Sequence, residues 1–390
     1  MDSNRDCGYP VKIKSFEFNL RELAGSMGDY GVLIPLAVGY FAVIGLNPSG
    51  FFVMMGLACI VTGLVFKLPM PIQPMKVLAV MSIAQVWTPS MVYASGFAEG
   101  LIWLFFGLTN LIEWLAKITP KTIVWGIQIT LGILLAIQAV GMISTGWALG
   151  IISILIILLL GKVKYIPAPV VLLMLGLGIV VYNGGWGQIP APAFHLPQLT
   201  SFRVEQIWET LVLAGFAQIP LTITNATISV AALIQTYFPE KKVTTRQISF
   251  SHGLMNLVVP FFGGIPMCHG AGGLAGQYYF GARTGGTKII EGSIYLTLGL
   301  FFGASFTGLF SVFPRAILGA MLFLVGLELV KFGKELRFNF QLIPVALTVL
   351  TALLSNLALG FLVGLGSYHL IQHIIKRKQF PDRFEEESEE

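Results

Sequence analysis

The sequence predicts an all-α polytopic membrane protein, with about fourteen membrane segments in two halves of seven. Three observations carry this expectation. Apolar stretches of spanning length recur along the whole chain. Lysines and arginines gather in alternate loops. One segment in each half is broken by proline and glycine at a corresponding place.

Composition supports the first point. Hydrophobic residues make up 55% of the 390 residues and charged residues only 11%, against roughly 25% charged in soluble domains. The apolar runs fall at 22–45, 50–66, 71–87, 93–115, 119–140, 146–161 and 166–183, then at 206–233, 247–262, 266–281, 288–308, 311–330, 340–355 and 357–374. A more polar stretch near 185–205 separates the halves, which span 1–184 and 206–375. Residues 376–390 end in an acidic run and are expected to form a disordered cytoplasmic tail. No cleavable signal peptide is expected, because the polar arm before Leu20 lacks the required charge and apolar pattern.

Charge placement tests the count. With the N-terminus inside, even-numbered segments lead into loops bearing Lys67; Lys117 and Lys121; Lys162 and Lys164; Lys241, Lys242 and Arg246; Arg283 and Lys288; Lys331, Lys334 and Arg337; and Lys376, Arg377 and Lys378. Outside loops keep Arg203 and Arg315. This alternation puts both termini in the cytoplasm. The net charge of +5 therefore reads as membrane topology, with the bilayer as partner and no nucleic acid. Cys7, Cys59 and Cys268 have neither disulfide nor metal spacing, so no metal centre is expected. An odd number of segments per half makes the halves inverted repeats. Ile34-Pro35-Leu36 recurs as Ile219-Pro220-Leu221, and Pro74-Met75 as Pro266-Met267, at similar offsets.

The broken segments read Pro69-Met70-Pro71-Ile72-Gln73-Pro74-Met75-Lys76 and Gly263-Gly264-Ile265-Pro266-Met267-Cys268-His269-Gly270-Ala271-Gly272-Gly273. Each is expected to enter extended and continue as a half-helix, in segments 3 and 10. Lys76 costs roughly 2.5–3.5 kcal/mol inside an apolar span, and its cation sits at the positive end of a helix dipole. A bound anion offsets both costs, with the amides of Met75 and Lys76 as further donors. The alternative is a lysine that snorkels to water or pairs with Asp29. The glycines after His269 let backbone amides approach a ligand, with Gly270 and Ala271 opening the second half-helix; alternatively they serve helix packing, with His269 structural. Asp29, the acid of segment 1, is the candidate coupling site for a cation, expected to be a proton; a structural ion pair is the other reading. Gln218, Thr222, Thr224, Asn225 and Thr227 offer polar groups to a substrate or to neighbouring helices. Glu99, Glu113, Glu291 and Glu328 fall nearer segment ends and read as structural or gating groups. No phosphate loop, zinc-protease or nucleophile-elbow motif is present in the sequence, and no enzyme is expected.

At Pro71-Ile72-Gln73-Pro74-Met75-Lys76 and at Pro266-Met267-Cys268-His269-Gly270-Ala271-Gly272-Gly273-Leu274-Ala275, followed by Gln277-Tyr278-Tyr279-Phe280-Gly281-Ala282-Arg283, the chain resembles molybdate transporters related to sulfate permeases. Gly28-Asp29-Tyr30-Gly31 and Gln218-Ile219-Pro220-Leu221-Thr222 are similar to motifs of segments 1 and 8 in that family. The resemblance implies the fold shared by sulfate permeases and the uracil transporter, with segments 1–4 and 8–11 as core and 5–7 and 12–14 as gate. It implies molybdate as first substrate, with sulfate or tungstate behind it, bound between segments 3 and 10 by Gln73, Met75, Lys76, Gln218, Asn225, His269, Gly270 and Ala271. The tail is too short for the regulatory STAS domain usual in sulfate permeases. Gln218 stands where nucleobase transporters of this fold typically place a glutamate, which favours an anion. Proton symport by an elevator-like movement, a plasma (inner) membrane location and a homodimer complete the expectation. A sulfate transporter, a non-transporting anion sensor and an anion channel remain as alternatives.

Overall fold

The computed structural model describes residues 11–13, 15–109, 111–160, 168–331, 336, 340 and 342–379. Cys7, the expected loop cations Lys162, Lys164, Lys334 and Arg337, and the tail 380–390 lie outside them. The chain begins with a hairpin of β1 (Val11–Ile13) and β2 (Phe16–Phe18), where the sequence reading had only a polar arm. Helix α1 (Leu20–Ser26) is followed by α2 (Tyr30–Gly39), bent from it by 43° and prolonged by a π turn, Tyr40–Ile44. Helix α3 (Pro48–Phe66), strand β3 (Gln73–Pro74), α4 (Lys76–Ala84), α5 (Pro89–Leu108), α6 (Leu111–Ile118), α7 (Lys121–Ile143), α8 (Trp147–Leu160) and α9 (Ala168–Tyr182) complete the first half.

The second half opens with a continuous rod. It runs α10 (Val204–Thr210), a π turn (Leu211–Gly215), α11 (Phe216–Leu221), a second π turn (Thr222–Ile228) and α12 (Ser229–Tyr237). Then come α13 (Thr245–Val258), β4 (Met267–Cys268), α14 (Ala271–Tyr279), α15 (Gly286–Val312), α16 (Arg315–Val330), α17 (Leu342–Leu354) and α18 (Leu357–Gln379). Each of the fourteen expected segments coincides with a helix, a bent helix pair or a strand–helix unit. Six of the described helices, or seven counting the bent pair, are individually long and apolar enough to cross a membrane. Two differences from the expectation stand out. The run 93–115 divides into α5 and the short α6, and α18 continues to Gln379, past the expected start of the tail at 376.

Local chemistry sets the helix starts. Asn47 accepts from the Ser49 amide at 2.9 Å and is followed by Pro48. Thr88 precedes Pro89 in the same way and accepts from the Met91 amide. Thr244 and Gln247 form a reciprocal capping box on α13. Such caps satisfy the amides that a helix end leaves open, and proline at the first position loses no bond. Pro35 and Pro220 lie inside α2 and α11, and each is followed by a π turn. Proline removes a helical donor, so a locally widened turn is the expected accommodation.

Packing follows the repeat. Helix α3 lies on α15, and its counterpart seven segments on, α13, lies on α5. Helices α7 and α16 pack on each other, and α17 packs on α7 as α8 does on α16. The α3–α15 approach depends on absent side chains: a Cβ on Gly56 would lie 2.7 Å from the Gly292 carbonyl oxygen. On the other pair, a Cβ on Gly100 would lie 2.7 Å from the Leu257 amide nitrogen. In a bilayer, close van der Waals approach replaces the hydrophobic drive between helices.

Substituting Gly100→Val should therefore destabilise the protein by about 1–3 kcal/mol, the usual cost of overpacking. Thermal unfolding in detergent reads this as a lower midpoint. Gly178→Ala, whose Cβ would meet nothing within 4 Å, should leave the midpoint unchanged or slightly raised. A Gly100→Val protein as heat-resistant as the parent would mean that α5 and α13 do not pack this closely.

Candidate functional site

The two broken segments meet. Strands β3 and β4 pair antiparallel, Gln73 opposite Cys268 and Pro74 opposite Met267. The Met75 amide extends the ladder by donating to the Pro266 carbonyl at 2.9 Å. Each strand passes directly into a nine-residue helix, α4 from its N-cap Met75 and α14 from its N-cap Gly270. Two helix N-termini, each with partial positive charge, thus flank one short buried ladder. The sequence reading offered the Met75 amide as a free donor. That point is corrected: the Met75 amide is committed to Pro266.

The N-terminus of α4 is covered by segment 8. Gln218 Oε1 accepts from the Val77 amide at 2.8 Å and the Leu78 amide at 3.4 Å, while its Nε2 donates to Thr222 Oγ1 at 2.6 Å. Gln218 and Thr222 are fully buried, one helical turn apart. Asn225 lies in the second π turn, half-buried. Lys76 is the first residue of α4 and half-buried, and its ammonium has no hydrogen-bond or ion-pair partner among the described residues.

The N-terminus of α14 is covered by Gln73. A side chain at Gly270 would collide with the Gln73 amide oxygen, and a Cβ at Gly273 would sit 2.7 Å from Gln73 Nε2 and 3.1 Å from Asp29 Oδ2. Glycine is needed at both positions for this contact. Gln73 Nε2 donates to Asp29 Oδ1. The other oxygen, Oδ2, is buried and has no hydrogen-bond partner. Asp29 occupies the bend between α1 and α2, and the charges that act on it are Glu291, Lys288 and Lys76.

His269 is in the crossing but fully committed. Its Nδ1 lies 2.9 Å from the Pro71 carbonyl, its Nε2 2.9 Å from Ser251 Oγ, and its backbone amide donates to His252 Nε2 at 2.9 Å. The ring thus forms a brace between α13 and the first broken segment. Asn256 braces β4 itself, accepting from the Met267 amide at 2.8 Å and donating to the Met267 carbonyl at 2.7 Å. Its side-chain amide serves as a third strand. Sequence reading missed it, although a lone Asn in the apolar run 254–260 was the available signal.

A second missed group lies on α15. Lys288, expected in a cytoplasmic loop, is fully buried, with Nζ 2.5 Å from Glu291 Oε2. Tyr295 donates to Glu291 Oε1 at 2.9 Å and Gln277 Nε2 donates to Oε2 at 3.1 Å. The positive charge of that loop then rests on Arg283. Glu99 and Glu291, read as near segment ends, are both buried in helix interiors; Glu99 Oε2 accepts from Trp103 Nε1 at 2.8 Å. Glu113 and Glu328 are exposed as expected of groups near helix ends.

Known proteins bear on this arrangement. The sequence profile described as "Molybdate transporter of MFS superfamily" matches residues 21–135 and 210–329, which include both broken segments, β3–α4 and β4–α14. Molybdate transporter 1 of Arabidopsis thaliana is 30% identical over 403 residues, covering 90% of this chain and 87% of its own length. Molybdate transporter 2 of the same plant is 30% identical with the same coverage. Among solved structures, the transmembrane domain of the cyanobacterial bicarbonate transporter BicA superposes with a TM-score of 0.65 at 18% identity, over 89% of this chain and 96% of that one. SLC26A9 gives 0.67 at 14% identity, over 93% and 66%. Those identities speak for the fold alone. With the profile spread over both halves and relatives alike along most of both lengths, this chain belongs to the molybdate transporter family, as an integral membrane protein with the fold of BicA and SLC26A9.

Proposed function

We propose that this protein is a secondary transporter importing a tetrahedral oxyanion, with molybdate the first substrate, by proton symport. The observation that carries the proposal is the meeting of two half-helix N-termini at one buried ladder, with Lys76, whose ammonium has no partner among the described residues, beginning α4 beside it. Family membership and the relatives' names support anion transport and molybdate in particular. The positive helix ends and Lys76 offset a dianion's charge in surroundings where an isolated charge is costly. Nothing there matches a neutral base equally well.

The binding residues act in sequence. In the arrangement described, the Gln218 amide oxygen caps the start of α4 and the Gln73 side chain lies against Gly270 and Gly273 at the start of α14. An arriving oxyanion displaces them, taking the amides of α4 beyond Met75 and those of Ala271 and the glycines after it. Gln218 and Gln73 then turn their amino groups to the anion, and Asn225, seven residues after Gln218, adds a further donor. His269 holds the Pro71 carbonyl and so fixes the path of the first strand.

Coupling follows from Gln73, which joins the anion's place to Asp29. A dianion near Asp29 disfavours its carboxylate by like-charge repulsion, and binding then favours its protonation. By linkage, protonation of Asp29 raises anion affinity by the same factor. It also weakens the charge-assisted bond that holds Gln73 on Asp29. A dianion moving inward against an inside-negative potential needs such cations. We further propose that the movement is elevator-like. The tightly packed pairs α3–α15 and α5–α13 carry the crossing as one body, against α7, α16, α17 and α18.

Two measurements test this. Lys76→Met should weaken molybdate binding by at least about thirtyfold, the cost of removing one partner of a buried charge contact; calorimetry on purified protein reads it, and unchanged affinity would sink the anion site. Wild-type affinity should rise as pH falls through the range in which Asp29 gains its proton, since the protonated form is the one that binds. Asp29→Asn should bind with little dependence on pH over the same range and should lose uptake driven by a pH gradient in liposomes. A variant that kept both the pH dependence and the gradient-driven uptake would remove Asp29 from the coupling step.

A further inference from the structure

Away from the crossing, a groove of about 860 Å³ runs between α3 and α13 and ends at the close of α5 and the loop before α13. Its walls are apolar: Leu57, Val61 and Val65 on one side face Leu254 and Val258 on the other. All five are exposed. Three cations stand at one end, Lys241, Lys242 and Arg246, and no acidic residue is among the lining residues. Arg246 Nε donates to the Gly107 carbonyl at 2.9 Å, which pins the guanidinium at the groove's mouth. Lys241 and Lys242 are exposed and have no ion-pair partner among the described residues.

We infer that this groove binds a phospholipid with an anionic headgroup. The volume is within the range of small-molecule sites. A trough of exposed aliphatic side chains takes an acyl chain, and three cations at its end match a headgroup phosphate with net negative charge. Charge complementarity selects the occupant: a neutral chain would leave the cations unused, and a soluble anion would leave the trough unfilled. Basic pockets between spanning helices at the membrane surface are a known form of headgroup site. The site lies behind the crossing. Ser251 lines the groove, and its Oγ is 2.9 Å from His269 Nε2, whose ring also reaches the Pro71 carbonyl. A lipid seated here rests on the brace that holds the two broken segments together, so its presence supports transport without touching the transported ion.

The test uses full-length protein reconstituted in phosphatidylcholine vesicles with or without phosphatidylglycerol, then extracted and examined by native mass spectrometry for retained lipid. Wild-type protein should retain phosphatidylglycerol in preference to phosphatidylcholine. Lys241→Gln/Lys242→Gln, both at exposed positions, should lower phosphatidylglycerol retention by about fivefold per cation and lower uptake in the phosphatidylglycerol vesicles to that in phosphatidylcholine alone. Val61→Trp, which fills the trough from an exposed position, should reduce retention with all three cations intact. Equal retention of the two lipids, retention unchanged in Lys241→Gln/Lys242→Gln, or displacement of the lipid by inorganic phosphate or an acidic peptide alone would overturn the assignment.

Discussion

The structure depends on how backbone amides and carbonyls are satisfied where two helices are interrupted inside an apolar layer. An open N–H or C=O there costs several kcal/mol, so irregular backbone survives in a membrane only when protein supplies its partners. The ladder between β3 and β4 supplies the first set, each broken segment answering the other. Asn256 supplies the second by bonding both polar groups of Met267, and Gln218 supplies the third at the start of α4. Everything that follows, including two helix ends held side by side, rests on those few bonds. The helices around them pack through glycine contacts that bring backbones together, and so hold the partners in register.

Charge is arranged around the same point. Asp29 sits at a bend and is held by Gln73. Behind it, Lys288, Glu291, Tyr295 and Gln277 form a buried group in which a cation and a carboxylate satisfy each other. Removing one member of such a pair leaves an uncompensated buried charge, a cost of about 3–5 kcal/mol. This group therefore fixes the electrostatic background against which Asp29 and Lys76 act. It also joins α14 to α15, so the second half-helix is anchored at its C-terminal end by side-chain bonds and at its N-terminal end by the ladder.

Much of this was legible in the sequence, for physical reasons. Spanning length, loop charge and Pro/Gly interruption are imposed by the bilayer on any chain that crosses it, and each leaves a local trace. The all-helical membrane architecture and the two half-helices were readable on that ground. What escaped was set by long-range partners. Lys288 looked like a loop cation because charge near a segment end ordinarily faces water; only the Glu291 carboxylate one turn on makes its burial tolerable. For His269, nothing local announces Ser251 or Pro71 as its partners. Met75 lost its free amide to a carbonyl nearly two hundred positions away. The β1–β2 hairpin was hidden because a three-residue strand carries too little pattern to distinguish it from a polar arm.

The cap that Gln218 places on α4 also settles a question of charge. A helix start inside an apolar layer is a cluster of open backbone donors with partial positive charge, and leaving them open is costly. Here a neutral oxygen that belongs to the protein answers α4, and the Gln73 side chain lies over the start of α14. The start of α4 therefore needs no counter-anion to remain buried. Any ligand at that end would have to outcompete a bond already made, which a charged oxygen does where a neutral one gains little.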